Sequence, residues 1–278
     1  VFARRVAPVQ VSWLGYPNTT GLFTMDYKLT DRLVDPEGLT DHLYTERLVR
    51  LPVSFLCYQA PLGAPSISAP PCVESGHITF GCFNNASKIT PAVIALWAKI
   101  LHAVPGSKLI LKARQFSDSA TRQRYMSLFA SHRITSDRLI ISGPLPKKQD
   151  HLSAYNAIDI GLDPFPYNGT TTSCEALWMG VPFITLAGKT HAGRVGSALL
   201  HNLHLDELVA RDTDDYLHKA AELAGNIPLL AEWRKDFRHL IETSPLCDAD
   251  RFADDIEEAY RRMWTEWCKH PHKPVQTP

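Results

Sequence analysis

The sequence predicts an α/β fold with a parallel sheet, and two observations support this prediction. Between residues 76 and 186, five apolar or β-branched segments alternate with four segments of helical periodicity. Strands that alternate with helices in this way are typical of parallel sheets with right-handed crossovers. Hydrophobic residues also make up 45% of the 278 positions, which is enough for a core in one large or two modest domains.

The composition argues against several functional classes. The 29 acidic residues balance the 29 basic ones, so bulk charge does not indicate binding to nucleic acid or to a membrane surface. No apolar run approaches the ~20 residues that span a bilayer. Six cysteines are scattered without a C-x-x-C pair, which is typical of reduced thiols in the cytosol. We therefore expect a cytoplasmic protein, which would also be nuclear if the source is a eukaryote.

The chain begins at Val1, without an initiator Met and without a signal-like segment. We interpret it as a fragment of a longer protein. Any targeting sequence would then be encoded upstream.

Three short strands are predicted in the first part of the chain. The first covers residues 9–14 and leads into a Gly/Pro/Asn loop at residues 15–21. Loops after strands commonly contact ligands in α/β sheets, but turn chemistry alone explains this composition and is the better interpretation from these residues by themselves. Two further strands are predicted over residues 26–31 and 46–52.

A stretch rich in Pro, Ala and Ser at residues 59–72 predicts a linker, and the alternating region follows it. The predicted strands of that region cover residues 77–83, 108–112, 138–142, 157–162 and 182–186. The predicted helices between them cover residues 91–104, 118–132, 147–156 and 172–179. Together these elements predict a Rossmann-like lobe.

Four more helices are predicted after the sheet, over residues 193–202, 214–224, 228–242 and 248–268. The last one has an apolar stripe, which predicts packing against a core: Phe252, Ile256, Tyr260, Met263, Trp264 and Trp267. Residues 270–278 are predicted to be a frayed tail. Its two histidines, His270 and His272, would bind metal only weakly.

The most informative stretch, residues 163–182, reads DPFPYNGTTTSCEALWMGVP. A strand, a Gly turn and a threonine-rich helix start follow one another here, and the free amides of a helix start suit a phosphate or diphosphate. The hydroxyls of Thr170, Thr171 and Thr172 would add donors. The pattern Thr172-x-x-Glu175 is also a capping box, which would satisfy the same amides internally. From these residues alone, anion binding and capping are equally good interpretations.

Two other segments contain candidate binding residues. Lys88 lies in a strand-to-helix loop just before Thr90-Pro91, from which it can reach a phosphate at the sheet's C-terminal edge. Lys148 and His151 are three residues apart and would share a helix face. Taken alone, neither segment would support a binding site, because an exposed lysine is ordinarily solvated surface and the second segment is better explained as the first turn of a helix with an exposed histidine.

Other chemistries lack their motifs. The sequence has no G-x-S-x-G elbow, H-E-x-x-H, Walker loop or G-x-G-x-x-G fingerprint. No Asp-x-Asp pair follows any of the predicted strands to hold a metal-bound diphosphate, so we expect no metal site and no cofactor. Lys88, the threonines and the helix dipole would then neutralise a leaving diphosphate.

Several blocks resemble, in order, the nucleocytoplasmic protein O-glycosyltransferases. This family contains the O-GlcNAc transferases and the plant SPINDLY proteins, which are protein O-fucosyltransferases. The similarity extends over residues 2–269 and includes APVQVSWLGYP, ERLVRLP and the stretch at residues 163–182.

The resemblance implies a two-lobed GT-B-type fold. Residues 1–58 would form the end of the N-terminal catalytic lobe and residues 59–75 the linker. Residues 76–269 would form the nucleotide-sugar-binding lobe with its C-terminal helices, and residues 270–278 the tail. In such enzymes the last helix commonly crosses back to the first lobe.

The resemblance also assigns roles to residues that match the family's motifs. Lys88 would contact the donor's β-phosphate as the catalytic cation, with Asn85 as a neighbouring amide. Pro146 would expose backbone to the base edge, and Lys148 and His151 would lie at the nucleoside. The remaining assignments are a phosphate site at Thr170, Thr171 and Thr172, a ribose contact at Glu175, and sugar contacts at Leu14, Gly15, His191 and Arg194.

The implied activity is inverting, metal-independent transfer of GlcNAc from UDP-GlcNAc to Ser or Thr of intracellular proteins. The donor signals are mixed, because Asn85, Glu175 and His191 match SPINDLY, whereas Arg194 matches the animal O-GlcNAc enzymes. GDP-fucose is therefore an alternative donor, and a nucleotide-sugar-binding module without turnover is an alternative of another class. The family's candidate acid/base histidines correspond to positions upstream of Val1, so we expect the 278 residues alone to bind nucleotide but to transfer little sugar.

Overall fold

A computed structural model of the chain describes residues 1–269 and contains two parallel sheets. The smaller sheet has the order β1-β2-β3, with β1 at Val11–Ser12, β2 at Tyr27–Asp31 and β3 at Arg47–Leu51. The larger sheet has the order β6-β5-β4-β7-β8-β9. Its strands are β4 (Thr79–Cys82), β5 (Lys108–Lys112), β6 (Leu139–Ser142), β7 (Ile160–Leu162), β8 (Phe183–Leu186) and β9 (Val209–Ala210).

Nine α-helices occur within the described residues. They are α1 (Cys72–Ser75), α2 (Pro91–Ala103), α3 (Ser119–Ser131), α4 (Lys148–Ser153), α5 (Thr171–Trp178), α6 (Val195–His201), α7 (Thr213–Ala224), α8 (Ile227–Glu242) and α9 (Ala249–Lys269). The prediction of an α/β chain with parallel sheets is confirmed.

The strand order of the larger sheet creates a switch point between β4 and β7. The chain runs outward from β4 to β5 and β6 on one side, and from β7 to β8 and β9 on the other. The loops that follow β4 and β7 therefore leave the sheet side by side. Such a crevice at the carboxyl ends of the strands is where open α/β sheets bind ligands. Lys88 belongs to the first of these loops, and the Gly-Thr-Thr-Thr segment belongs to the second.

The main core lies between the larger sheet and its helices. Helix α2 begins at Pro91, after Thr90 caps it by accepting a hydrogen bond from Val93 N, and buries Trp97 completely. Phe80 and Leu111, on β4 and β5, are also fully buried. This rigid layer fixes the ends of the strands from which the functional loops extend.

Helix α9 returns to the smaller sheet, as predicted. Ala259 and Met263 are buried against Tyr27, Leu29 and Leu51 of β2 and β3. At the rim, Arg47 pairs with Glu266 at 2.6 Å. Part of the predicted stripe does not pack in this way, because Tyr260 and Trp264 are 45% and 52% exposed, with Trp264 stacked on Trp267.

Several predicted boundaries were wrong. The strand predicted over residues 9–14 pairs with β2 only at Val11 and Ser12. The helix predicted over residues 147–156 ends at Ser153 and continues as a 3-10 turn over Ala154–Ala157. Strand β9 was not predicted, because two residues give no periodicity and the strand exists only through its pairing with β8.

Residues 59–71, within the predicted linker, contain no helix or strand, and α1 follows at Cys72–Ser75. This segment is fastened to the larger lobe, since Arg238 donates to Pro65 O at 2.8 Å and Arg234 donates to Ser68 O at 3.1 Å. The predicted tail, with His270 and His272, lies outside the described residues.

All six cysteines are free thiols. In the described part of the chain, no helix is both long and apolar enough to cross a membrane.

Candidate functional site

Lys88 joins the two loops at the switch point. Its Nζ atom donates to the carbonyl oxygen of Asn168 at 2.7 Å and lies 4.0 Å from the centroid of the Tyr167 ring. A second link is the hydrogen bond from Thr172 Oγ1 to Asn84 Oδ1 at 2.9 Å. Burial lowers the pKa of Lys88, although the nearby Asp163 carboxylate opposes the shift. A partly desolvated cation therefore lies next to the start of α5.

The capping-box interpretation of the threonines was wrong. The residue that precedes α5 is Thr170, not Thr172, and no side chain caps the helix. Thr172 uses its hydroxyl for Asn84, and the carboxylate of Glu175 contacts His151 at 2.9 Å instead of reaching back. The first turn of α5 thus keeps the uncapped amides and positive dipole end that attract an anion. Thr171 is exposed beside them.

Gly169 closes the turn before α5, where a larger residue would have to displace its neighbours. A Cβ atom there would lie 2.3 Å from Ser173 Oγ and 3.0 Å from Asn84 Nδ2. The amide of Gly169 donates to the buried carboxylate of Asp163 at 2.7 Å. Burial raises the pKa of Asp163 to about 7, although hydrogen bonds from Gly169 and Thr185 and the charge of Lys88 oppose the shift.

His151 and Glu175, both predicted to lie at a nucleoside, contact each other. His151 Nε2 is 2.9 Å from Glu175 Oε2, and His151 Nδ1 is 2.6 Å from the Nζ atom of Lys112. The imidazole is partly exposed, whereas Glu175 and Lys112 are buried. Burial lowers the pKa of Lys112 to about 8, with the charge of Glu175 acting in the opposite direction. The three side chains form one continuous polar chain.

The other predicted donor residues lie at the surface near these loops. Asn85 is exposed and accepts hydrogen bonds from Ser87 N and from Gln115 Nε2. Pro146 and Lys148 are exposed, the latter in the first turn of α4.

The four predicted sugar-side residues fall into two groups. Leu14 is 51% exposed and has a positive φ of 61°, in a tight turn where Gly15 N donates to Trp13 O at 2.8 Å. His191 is only 3% exposed and contacts the Asp35 carboxylate at 2.7 Å. Arg194 extends toward the same part of the first lobe, where it donates to Val34 O at 3.5 Å.

The loop that contains His191 is also tied to the loop that precedes α5. The amide of Asn168 donates to Ala192 O at 2.8 Å, and Gly196 N donates to Asn168 Oδ1 at 3.3 Å. Since Asn168 O is the partner of Lys88, a short path of hydrogen bonds connects Lys88 with the loop that contains His191.

Sequence reasoning missed five residues that shape this region: Asp35, Asn84, Lys112, Tyr155 and Asp163. Lys112 and Asp163 had a usable signal, because each is a charged residue at the end of a buried strand, at the sheet edge where ligands bind. Asp35 had none, because it meets His191 across 156 positions.

The arrangement suits an anionic nucleotide. The uncapped helix start, the Lys88 ammonium and the threonine hydroxyls supply donors for a diphosphate. The His151 ring supplies a flat surface for a nucleoside. The Glu175 carboxylate, one helical turn after the start of α5, supplies a hydrogen-bond acceptor for it. Within residues 1–269, no three His, Cys, Asp or Glu side chains cluster as a set of metal ligands.

Comparison with known proteins agrees with this chemistry. The model of glycosyl transferase family 41 matches residues 1–60 and 72–256. A Petunia hybrida protein named probable UDP-N-acetylglucosamine–peptide N-acetylglucosaminyltransferase SPINDLY is 46% identical over 268 residues, which are 96% of this chain and 29% of that protein. The Arabidopsis thaliana protein named SEC, with the same enzyme name, is 33% identical, over 96% of this chain and 28% of that protein. The chain thus spans less than a third of the length of these relatives.

Solved structures extend the comparison to the fold. A mutant O-GlcNAc transferase from Thermobaculum terrenum is 43% identical and superposes with a TM-score of 0.89, over 96% of this chain and 50% of that one. Sucrose-phosphate synthase from Thermosynechococcus elongatus, at 16% identity, shares the fold with a TM-score of 0.60 over 87% of this chain and 59% of that one. The GT-B prediction is confirmed, and with the match over most of its length, the chain belongs to glycosyltransferase family 41.

Proposed function

We propose that this chain is the donor-binding part of a protein O-glycosyltransferase that transfers GlcNAc from UDP-GlcNAc to Ser or Thr side chains. The observation that carries the proposal is the position of Lys88 beside the uncapped start of α5, at the switch point of the larger sheet. The enzyme names of the relatives support the same reaction class. The acceptors would be cytoplasmic proteins, or also nuclear ones in a eukaryote.

The proposed chemistry is a single displacement with inversion. The acceptor hydroxyl attacks the anomeric carbon from the face opposite the diphosphate, the bond to the β-phosphate oxygen breaks, UDP leaves, and the hydroxyl proton is released to solvent. Negative charge develops on that oxygen, so donors that are already in place stabilise the transition state. Lys88, the hydroxyls of Thr171 and Thr172 and the start of α5 would supply this stabilisation without a metal ion.

The nucleoside would lie over α4 and α5. In this arrangement the His151 ring stacks on the base, Glu175 accepts hydrogen bonds from the ribose hydroxyls, and Lys148 reaches toward ribose or phosphate oxygens. The exposed backbone around Pro146 would contact the base edge. Leu14, Gly15, His191 and Arg194 would enclose the sugar.

A specific observation favours GDP-fucose as a second candidate donor. Identity to the Petunia hybrida SPINDLY protein is 46%, compared with 33% to the Arabidopsis thaliana SEC protein. The resemblance to SPINDLY, with Asn85 and Glu175 at matching positions, implies protein O-fucosyl transfer.

Calorimetric titration of the 278-residue chain with UDP, UDP-GlcNAc, GDP and GDP-fucose tests the proposal. We expect UDP to bind more tightly than GDP, and tighter binding of GDP would move the assignment to O-fucosyl transfer. Absence of binding by all four compounds to the folded chain would contradict a donor site. Labelled donor with a Ser/Thr-rich peptide then distinguishes an active enzyme from a binding module without turnover.

A further inference from the structure

A buried lysine with no assigned role, Lys112, lies at the C-terminal end of β5. It is 4% exposed, and its Nζ atom is 2.6 Å from His151 Nδ1 and 3.3 Å from His151 O. Nζ also lies 4.0 Å from the centroid of the Phe83 ring, just after β4. Lys112 therefore holds the backbone and the ring of His151 at the same time.

These contacts determine which nitrogen of His151 carries the proton. An ammonium has three N–H donors and no acceptor, so Nδ1 presents its lone pair to Lys112. The carboxylate of Glu175 only accepts, so Nε2, at 2.9 Å from Oε2, carries the proton and donates it. This pattern of donors and acceptors assigns the Nε2–H tautomer to His151, with both ring nitrogens occupied within the protein.

Aromatic neighbours fix the plane of the same ring. The Tyr155 ring meets it edge-on at 5.8 Å and 87°, and the Phe83 ring is tilted by 53° at 6.0 Å. Tyr155 is held in turn, because its hydroxyl donates to Thr172 O at 3.1 Å and lies 3.4 Å from Glu175 Oε2. The orientation of His151 is therefore set from β4, β5 and α5 together.

Packing alone does not explain a lysine at this position. Burial disfavours the charged form of Lys112, as its lowered pKa shows. An apolar side chain such as Met would fill the space at the end of β5 without that penalty. Titratable groups with perturbed pKa values are concentrated at functional sites.

We propose that Lys112 is a positioning residue of the nucleoside site, which holds His151 as a neutral platform that stacks on a nucleobase and cannot read its edge. The inference rests on the proposed function, because His151 faces a base only in that setting. Since both ring nitrogens are already bonded, His151 would stack on uracil or guanine without forming hydrogen bonds that distinguish the two bases. Base identity would then be read by the exposed backbone around Pro146.

The first experiment requires no ligand. The full chain is labelled with 15N-histidine, the ring signals are recorded at pH 7, and a His151→Gln variant assigns the signal of interest. We expect the Nε2–H tautomer in the wild type and loss of that fixed tautomer in Lys112→Met. Lys108→Met is the matched control, because Lys108 is the first residue of the same strand and lies at its other end. This substitution should leave the His151 signals unchanged.

The second experiment measures binding of UDP, GDP and pyrophosphate to the same proteins. Lys112→Met should weaken the binding of UDP and of GDP by a similar factor of about ten, as expected when a base loses a well-placed aromatic stacking partner. Pyrophosphate, which has no base, should bind as it does to the wild type, and Lys108→Met should bind all three ligands normally.

The outcomes separate the inference from the proposed function. An imidazolium or an Nδ1–H tautomer in the wild type overturns the inference, and this measurement does not depend on whether Lys112→Met folds. An unchanged tautomer in Lys112→Met, or weaker binding of only one of the two nucleotides, also overturns it. The 15N-histidine spectra of the wild type and Lys112→Met can agree with the expectation while neither nucleotide binds the wild type. In that case the donor-site proposal and the stacking role fail, but the positioning of His151 by Lys112 is upheld.

Discussion

His191 Nδ1 donates a hydrogen bond to Asp35 Oδ2 at 2.7 Å, and this contact joins the two lobes. Both residues are buried, at 3% and 0% exposure. The hydroxyls of Thr30 and Tyr44 also donate to the Asp35 carboxylate. Burial acts to raise the pKa of Asp35, but the hydrogen bond and charge of His191, followed by those hydroxyls, outweigh it and hold the pKa below its usual range.

The first prediction concerns this contact between the lobes. Asp35→Ala leaves His191, Thr30 and Tyr44 without their shared acceptor, so the free energy of unfolding should fall by about 3–5 kcal/mol. Chemical denaturation of both proteins measures this difference. The matched control is Asp206→Ala, which removes an exposed His201–Asp206 pair of similar length, 2.8 Å, and should change stability by less than about 1 kcal/mol.

The same pair predicts a dependence on pH. Because the folded state holds the pKa of Asp35 below its unfolded value of 3.8, its contribution to stability is present above that value. It should disappear as the pH falls through the lower, folded pKa. The stability difference between the wild type and Asp35→Ala should therefore narrow in acid, and a difference that widens there would contradict this assignment.

Lys88 gives the second prediction. If its ammonium neutralises a β-phosphate, Lys88→Ala should weaken binding of UDP by roughly 1.5–3 kcal/mol, the range for hydrogen bonds to charged groups. Calorimetric titration measures the loss, and Lys99→Ala, an exposed lysine on α2, is the control. Unchanged affinity for UDP in a folded Lys88→Ala protein would remove Lys88 from the site.

The alternation of apolar strands and helices predicted most of the fold, because each buried strand of a parallel sheet leaves a local pattern. Strand β5 was predicted to the residue, and α2 and α8 to within one residue at each end. Strand β9 could not be predicted, since it consists of two residues that are ordered only by β8. The return of α9 to the first sheet came from the family resemblance, and the apolar stripe alone did not specify which surface it would cover.

Motif spacing could not indicate which candidate side chains contact one another. Glu175 had two interpretations, as a cap for α5 and as a ribose ligand, and only the fold shows its carboxylate at His151. The partners of His151 and His191, namely Lys112 and Asp35, come from distant strands and loops. Such polar pairs depend on tertiary packing, so a local pattern cannot reveal them.

Gly169 gives the third prediction. The added methyl of Gly169→Ala would collide with Ser173 Oγ, Thr172 Oγ1 and Asn84 Nδ2, at 2.3, 2.9 and 3.0 Å. The substitution should displace the start of α5 and weaken the binding of both UDP and pyrophosphate, since both ligands would use the uncapped backbone amides in the first turn of α5. Gly225→Ala, whose nearest new contact is a backbone oxygen at 3.3 Å, should bind normally. Equal affinities in the two variants would show that the turn does not contribute to binding.

The last prediction uses the stability of the fold at alkaline pH. The folded state lowers the pKa of Lys112 from 10.5 to about 8 through burial, against the opposing charge of Glu175. Between these two values the unfolded chain binds more protons than the folded chain, so stability attributable to Lys112 should rise with pH across this window. Thermal unfolding from pH 7 to 10.5 measures the effect, and Lys112→Met should lack that part of the rise.

Lys112→Met should also be more stable than the wild type at pH 7, because Met has no charge to desolvate whereas Lys112 is charged at that pH. The same variant should nevertheless bind UDP more weakly. A variant that is less stable at pH 7 and also binds UDP normally would mark Lys112 as a structural residue.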